Sequence, residues 1–231
     1  MGSEERKLPA GIQNFDTIIE RKTHMNNKAM YTLSYGLFVV TSRLNGRDSG
    51  CITNTAIQVT ADPNRIALAV NCANYTNELI KKAGRFNVSV ISEDADFSLF
   101  KRFGFGSGRE VDKFAGFDDF ARTPDGISYI TKGTNAFFSA EIEQQIELGS
   151  HTLFIAGVKD MDVLSKVPSA TYAYYQSEIK PKPEAVGVTG DGKTIWRCTV
   201  CGYEYVGEEL PDDYICPICK HPKADFEKAT R

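Results

Sequence analysis

The chain has no long apolar run. Its longest, such as Gly36-Leu37-Phe38-Val39-Val40, falls far short of the ~20 residues a helix needs to cross a bilayer, so no membrane span is expected. It has no excess of positive charge. The 27 Lys and Arg against 30 Asp and Glu leave a net charge of −3, which excludes the basic footprint of a nucleic-acid-binding protein. No apolar segment follows the acidic start Met1-Gly2-Ser3-Glu4-Glu5, so a secretory leader is not expected. Histidine is scarce. The three present, His24, His151 and His221, are far apart, and no Glu and His set for a di-iron centre is visible. Cysteine is sparse too, yet four of the six lie between residues 198 and 219. The other two, Cys51 and Cys72, are isolated. Disulfide pairing is therefore not expected, and the thiol cluster points to a reducing cytoplasm.

That cluster is the strongest chemical signal in the chain. Cys198-x-x-Cys201 and Cys216-x-x-Cys219 are two knuckles, each aiming two thiolates at one ion. Four sulfurs make a closed tetrahedral site that suits zinc or iron and leaves no position for a substrate. Such a metal is structural or carries electrons. On spacing alone a zinc ribbon is the better fit. The surrounding residues favour iron. Trp196, Tyr203, Tyr205, Tyr214 and Phe226 give an aromatic core to a unit too small to fold without a staple. Gly202 lets the backbone turn its N–H groups toward sulfur. The pattern Cys201-Gly202-Tyr203, Leu210-Pro211-Asp212-Asp213, Cys216-Pro217-Ile218-Cys219 and Asp225-Phe226-Glu227 resembles a rubredoxin over residues 195 to 228. That resemblance implies one iron per chain. The 14 residues between Cys201 and Cys216 are fewer than in a free-standing rubredoxin and resemble modules fused to other redox domains.

A boundary is visible before this unit. Glu178-Ile179-Lys180-Pro181-Lys182-Pro183-Glu184 reads as an extended, semi-rigid segment, and Val186 to Lys193 is rich in glycine. The expected division is residues 1–175, a linker at 176–194, and 195–231.

The first domain reads as mainly β. Gly36 to Arg43 is a strand, Asn45-Gly46 a hairpin turn, and Asp48 to Thr60 the return strand. Arg65 to Cys72 is another. Thr76 to Ala83 reads as a helix started by Asn74 or Thr76 and stopped by Gly84. Phe86 to Ile91 alternates as a strand. Residues 94 to 126 resist assignment beyond a helix at Phe97 to Phe103. Asn135 to Leu148 and His151 to Val163 form a second hairpin around Gly149-Ser150. Strands joined this way suggest a closed antiparallel barrel.

Its polar residues are candidates for a ligand. Asn54 and Gln58 would share one face of the return strand, where a flat heterocycle could meet them and the backbone. Asn74-Tyr75-Thr76 opens a helix whose N–H groups suit a phosphate. Taken alone, such residues are routine at strand ends and caps. The ordered set is more specific. Tyr35-Gly36-Leu37-Phe38-Val39-Val40-Thr41-Ser42, Gly50-Cys51-Ile52-Thr53-Asn54-Thr55-x-x-Gln58, Asn74-Tyr75-Thr76-x-Glu78 and Ser107-Gly108-Arg109-x-Val111-Asp112-Lys113 resemble the flavin-reductase-like FMN-binding split barrels over residues 25 to 172. The resemblance implies an antiparallel split β-barrel, a homodimer, and FMN held by Thr41, Ser42, Cys51, Asn54, Thr55, Gln58, Asn74 and Thr76. It implies a flavin- or nicotinamide-side role for His151 in Gly149-Ser150-His151, where relatives carry Gly-Asp-His. Arg109 and Lys113 could meet the phosphates of NADH or NADPH, or be solvated. Cys72 stands where relatives carry a lysine.

The two parts together resemble the high-molecular-weight rubredoxins. That resemblance implies electron flow from NAD(P)H through FMN to iron. From there electrons would pass to a partner such as a flavodiiron oxygen or nitric oxide reductase. The acidic Glu208, Glu209, Asp212 and Asp213 could face that partner. FMN can bridge because a nicotinamide gives two electrons and one iron takes one. Two alternatives stay open: a flavin reductase releasing reduced flavin to a monooxygenase, and an FMN and iron carrier with no NAD(P)H site.

Overall fold

The computed structural model describes residues 27–181, 193–199, 203–216 and 222–229. The chain divides into two compact units, Met1–Ser34 and Tyr35–Arg231. In the first, Asn27–Thr32 forms a short 3-10 helix. The second holds the rest.

A seven-stranded antiparallel sheet organises the second unit. Its strands are β1 (Phe38–Leu44), β2 (Arg47–Thr53), β3 (Ala56–Ala61), β4 (Asn64–Asn71), β5 (Arg85–Ile91), β8 (Thr134–Glu147) and β9 (His151–Val163), in the order β2-β1-β5-β8-β9-β4-β3. Helix α1 (Tyr75–Ala83) joins β4 to β5, and α2 (Phe97–Gly104) follows β5. A small ribbon of β6 (Phe120–Arg122) and β7 (Ser128–Ile130) lies in the region that resisted assignment. The helical turns Tyr172–Tyr174 and Tyr175–Ile179 close this part of the chain. The helical backbone therefore runs through Ile179, and extended backbone begins only at Lys180.

Local chemistry explains most boundaries. Asn45 and Gly46 both take positive φ, as the β1–β2 turn requires. Gly84 takes the left-handed conformation that ends α1 and donates its N–H to the Ile80 carbonyl. Asp96 caps α2 by accepting from the Ser98 N–H.

One expectation needs correction. The run from Asp48 to Thr60 is two strands, β2 and β3, and they lie at opposite edges of the ladder. The break is at Asn54. The hydroxyls of Thr53 and Thr55 both donate to the Ala69 carbonyl at 3.1 Å, turning the chain onto β4. Asn54 and Gln58 therefore do not share the face of one strand.

Alternation along the strands fills two cores. Val40 packs with Leu68, Ile80, Phe86 and Phe154 on one side of the sheet. Its neighbour Val39 packs with Phe100, Phe103, Ile130 and Tyr175 on the other. Phe103 is ringed by Phe114 and Phe117, each with centroids 5.4 Å away. Asp48 ties β2 to the ribbon. It accepts from Arg43, from both terminal nitrogens of Arg122, and from the Ser128 hydroxyl.

The C-terminal segment forms its own three-stranded sheet. Strand β10 (Ile195–Cys198) lies between β11 (Glu204–Val206) and β12 (Phe226–Lys228). Tyr214 packs at 4.8 Å on Tyr205 and edge-on at 5.4 Å to Phe226, so the residues before Cys216 are joined to both outer strands.

Gly50 is a tight point between sheet and aromatic cluster. A Cβ there would meet Phe103 Cδ1 at 2.8 Å and Thr41 Cγ2 at 3.3 Å. Phe103 has no room to give. Gly50→Ala should cost about 1–3 kcal/mol in denaturant unfolding; an unchanged midpoint would mean the cluster is looser than described.

Candidate functional site

The start of α1 gathers several of the expected residues. Asn74 precedes the helix in extended conformation, and its side chain makes no capping hydrogen bond. The Asn77 N–H donates to the Asn74 carbonyl at 3.0 Å, so the N–H groups before it are the ones that suit a ligand anion. Thr76 is buried, with its hydroxyl 2.9 Å from that of Ser49 on β2. Cys51, on the same strand, is 5% exposed. Its thiol is pushed up by burial; the Lys113 charge and hydrogen bonds from Thr76 and Asn74 act the other way. The cluster is therefore Ser49, Cys51, Asn74, Thr76 and Lys113. Gly108 lies against it, since a Cβ there would meet Ser49 Oγ at 2.7 Å.

Lys113 differs from a solvated loop residue. It is 6% exposed, and its ammonium donates to the Phe103 carbonyl at 2.8 Å. Burial pulls its pKa down, with the nearby Cys51 opposing. Arg109 is engaged elsewhere. It pairs with Glu78 at 2.6 Å and lies over the Tyr75 ring beside Arg47.

The other expected residues are placed as follows. Thr41 and Ser42 are fully buried. Their hydroxyls donate to the carbonyls of Ser128 and Arg85, inside the sheet. Asn54 is half-buried in the β2–β3 turn, and Thr55 is bound to Ala69. Gln58 is exposed and bridges to Thr60 and Asn64. It lines a groove of about 380 Å³ with Phe38, Ile57, Arg65, Phe138 and Met161. A groove of this size suits a small organic ligand. His151 pairs with Asn71 across β9 and β4, and its Nδ1 lies 2.9 Å from the Ser150 hydroxyl. Cys72 lies 3.5 Å from the Thr152 hydroxyl at the same end of the sheet.

Ser49 was missed in the sequence. It stands directly opposite Ser42 across the β1–β2 ladder, and that pairing of two small hydroxyl residues was the available signal.

The metal site is only half within the described residues. Cys198 ends β10 and Cys216 follows Tyr214; both have no exposed surface. Cys201 and Cys219, like His24 and His221, lie outside the described residues. Among the described residues no group of three or more metal-ligating side chains is gathered. The donor set nonetheless fits a thiolate-bound metal. Two buried cysteines stand at the first and third ligand positions, each with its knuckle partner three residues on. The backbone at Cys198 is fixed. The Cys198 N–H donates to the Tyr203 carbonyl at 2.8 Å, and the Thr199 N–H to Asp225 at 2.8 Å.

Comparison with known proteins gives the family. The flavin reductase like domain profile matches residues 30–182, and the rubrerythrin, rubredoxin-like domain profile matches residues 196–227. A high molecular weight rubredoxin from Moorella thermoacetica is 35% identical over 88% of this chain and all of its own length. The chain belongs to the high-molecular-weight rubredoxin family. Other relatives match a smaller share of the chain. A ferric-chelate reductase (NAD(P)H) from Archaeoglobus fulgidus is 36% identical over 68% of this chain and 93% of its own. The fold also resembles the flavin reductase component of a bacterial two-component tryptophan halogenase, with a TM-score of 0.56, 20% identity, and coverage of 62% of this chain and 89% of that one. Like the other members of this family, the chain joins a mainly-β flavin-reductase-like domain to a cysteine-rich domain. No helix among the described residues is long and apolar enough to cross a membrane.

The α1 cluster makes a direct prediction. Replacing Asn74 and Thr76 together with alanine should remove hydrogen bonds of ~1 kcal/mol or more each and weaken flavin retention by roughly one to two decades. Equilibrium dialysis of FMN against the wild type measures it. Equal retention at an equal melting temperature would place the flavin away from α1.

Proposed function

We propose that this protein moves electrons from NADH or NADPH through bound FMN to a four-thiolate iron, and from there to an outside acceptor. The observation that carries the reading is that both profiles match one chain, end to end with a relative of the same architecture. The Archaeoglobus fulgidus relative supports a nicotinamide donor, because its name states NAD(P)H.

FMN supplies the step between a two-electron donor and a one-electron acceptor. The residues of this chain would hold it. Asn74, Thr76 and the first turn of α1 suit its phosphate, and the Lys113 charge adds positive potential there. Asn54, Thr55 and the backbone of the β2–β3 turn suit its ring, and Gln58 lies in the adjacent groove. Thr41, Ser42 and Cys51 support these elements from within the sheet. His151, at the β4–β9 end, and Arg109, beside Tyr75, suit the nicotinamide side. In the small domain Cys198, Cys201, Cys216 and Cys219 would bind one iron.

We further infer that the sheet closes as a split barrel and that two copies pair. Ile57 and Val59 on edge strand β3 and Met161 and Val163 on β9 are exposed, which is an apolar surface suited to a second subunit. The proposed acceptor is a flavodiiron protein or similar terminal reductase in the cytoplasm. The exposed acidic side chains Glu208, Glu209, Asp212 and Asp213 give it a surface to meet.

A second reading keeps the flavin domain as a reductase of free flavin or ferric chelates, with the small domain a bystander. The Archaeoglobus fulgidus match favours it. One spectrum separates the two. Anaerobic NADH or NADPH should bleach both flavin and ferric-thiolate absorbance in the wild type. In Cys216→Ser the iron should be lost while flavin still bleaches. Flavin that bleaches in the wild type beside iron that stays oxidised would support the bystander reading.

A further inference from the structure

The flavin-reductase-like domain reaches into the first metal knuckle with one side chain. Tyr175 is buried, and its ring stacks on Phe100 at 4.4 Å, so the helical turn Tyr175–Ile179 is fixed to that domain. Lys180 ends the turn, its N–H donating to the Tyr175 carbonyl at 2.8 Å. From this base its ammonium donates to the carbonyl of Thr199 and lies 3.4 Å from Gln176 Oε1. Thr199 is the residue after Cys198, inside the knuckle. It is held from its other side, because its N–H and its hydroxyl both donate to the Asp225 carbonyl, at 2.8 and 3.0 Å.

Three cations of the small domain among the described residues stay within that domain. Arg197 pairs with Glu204, Lys223 pairs with Asp212 at 2.7 Å, and Lys228 lies over the Trp196 ring. Lys180 is a cation rooted in one domain and bonded to the knuckle peptide of the other.

We propose that Lys180 is a positioning residue that tunes the iron: docked on Thr199, it draws the electron onto the iron, and undocking lets the electron leave. The inference rests on the reading of the flavin and iron sites above. The step is a bare electron transfer. One electron leaves the reduced flavin, ferric iron becomes ferrous, and no bond forms or breaks. The four-thiolate centre is already anionic and gains one negative charge. A cation hydrogen-bonded to the adjacent Thr199 peptide favours that reduced form through its charge. When the small domain leaves Lys180 to meet its partner, that favour is withdrawn. The iron then returns to ferric by giving the same electron to the partner. The contact thus makes the centre a better acceptor where it loads and a better donor where it unloads.

The test is a spectroelectrochemical titration of the full-length, iron-loaded protein. It compares the wild type with Lys180→Arg, Lys180→Gln and Lys180→Glu. Gln keeps a hydrogen-bond donor and removes the charge. It should lower the equilibrium constant for iron reduction about threefold to tenfold, a negative shift of roughly 30–59 mV for a one-electron couple. Glu should shift it further, and Arg should leave it near wild type. Iron potentials that coincide in all four proteins, with normal ferric spectra, would overturn the role of Lys180 and leave the iron reading standing. Absence of a ferric-thiolate spectrum in every protein from iron-replete cells would overturn the iron reading, and this inference with it.

Discussion

The carbonyl of Ala69 accepts hydrogen bonds from two threonine side chains, Thr53 and Thr55, and the layout of the sheet follows from that junction. It stops β2 at Thr53 and sends the next residues onto the far edge as β3. Strand β2 is left paired to β1, with Ser49 and Cys51 facing the start of α1. Asn54 is left in the turn instead of in a ladder. A continuous strand here would have moved every later side chain to another face or another edge. The break therefore leaves Ser49 and Cys51 on β2 against Thr76 and carries Gln58 away on β3.

The small domain is governed by size. A unit of under forty residues cannot bury enough apolar surface to fold by that means alone. Its described residues show what it does have: Leu210 and Ile195 buried, and Tyr214 wedged between Tyr205 and Phe226. Metal binding by four thiolates adds folding free energy directly. In the proposed function the same four sulfurs would also set the chemistry. The larger domain has two cores and needs no such staple. This difference suits the proposed pairing of a platform for a flavin with a small carrier for one electron.

Legibility in the sequence followed the range of the interactions involved. The β1–β2 hairpin was readable because Asn45-Gly46 is a local signal. Helix α1 was readable because Asn74 or Thr76 can start it and Gly84 stops it. The long β8–β9 hairpin was readable from alternation over more than a dozen residues per strand. The break at Asn54 was not. Thr53, Thr55 and their neighbours favour strands, and the acceptor that interrupts them lies 14 residues away. The β6–β7 ribbon was missed because each strand is three residues long and set among phenylalanines that pack against Phe103. The cysteine knuckles were legible as a motif. The burial of Lys113 beside Cys51 and the reach of Lys180 to Thr199 were not, because both depend on contacts between elements distant in the chain.

In the proposed function, flavin and iron on this chain form one internal relay. Anaerobic rapid mixing with NADH or NADPH, followed separately at flavin and iron wavelengths, tests it most directly. The relay predicts that flavin bleaches first and that iron follows at a rate independent of protein concentration, because the two centres share a chain. Iron reduction that scaled with protein concentration, or that preceded the flavin, would contradict it.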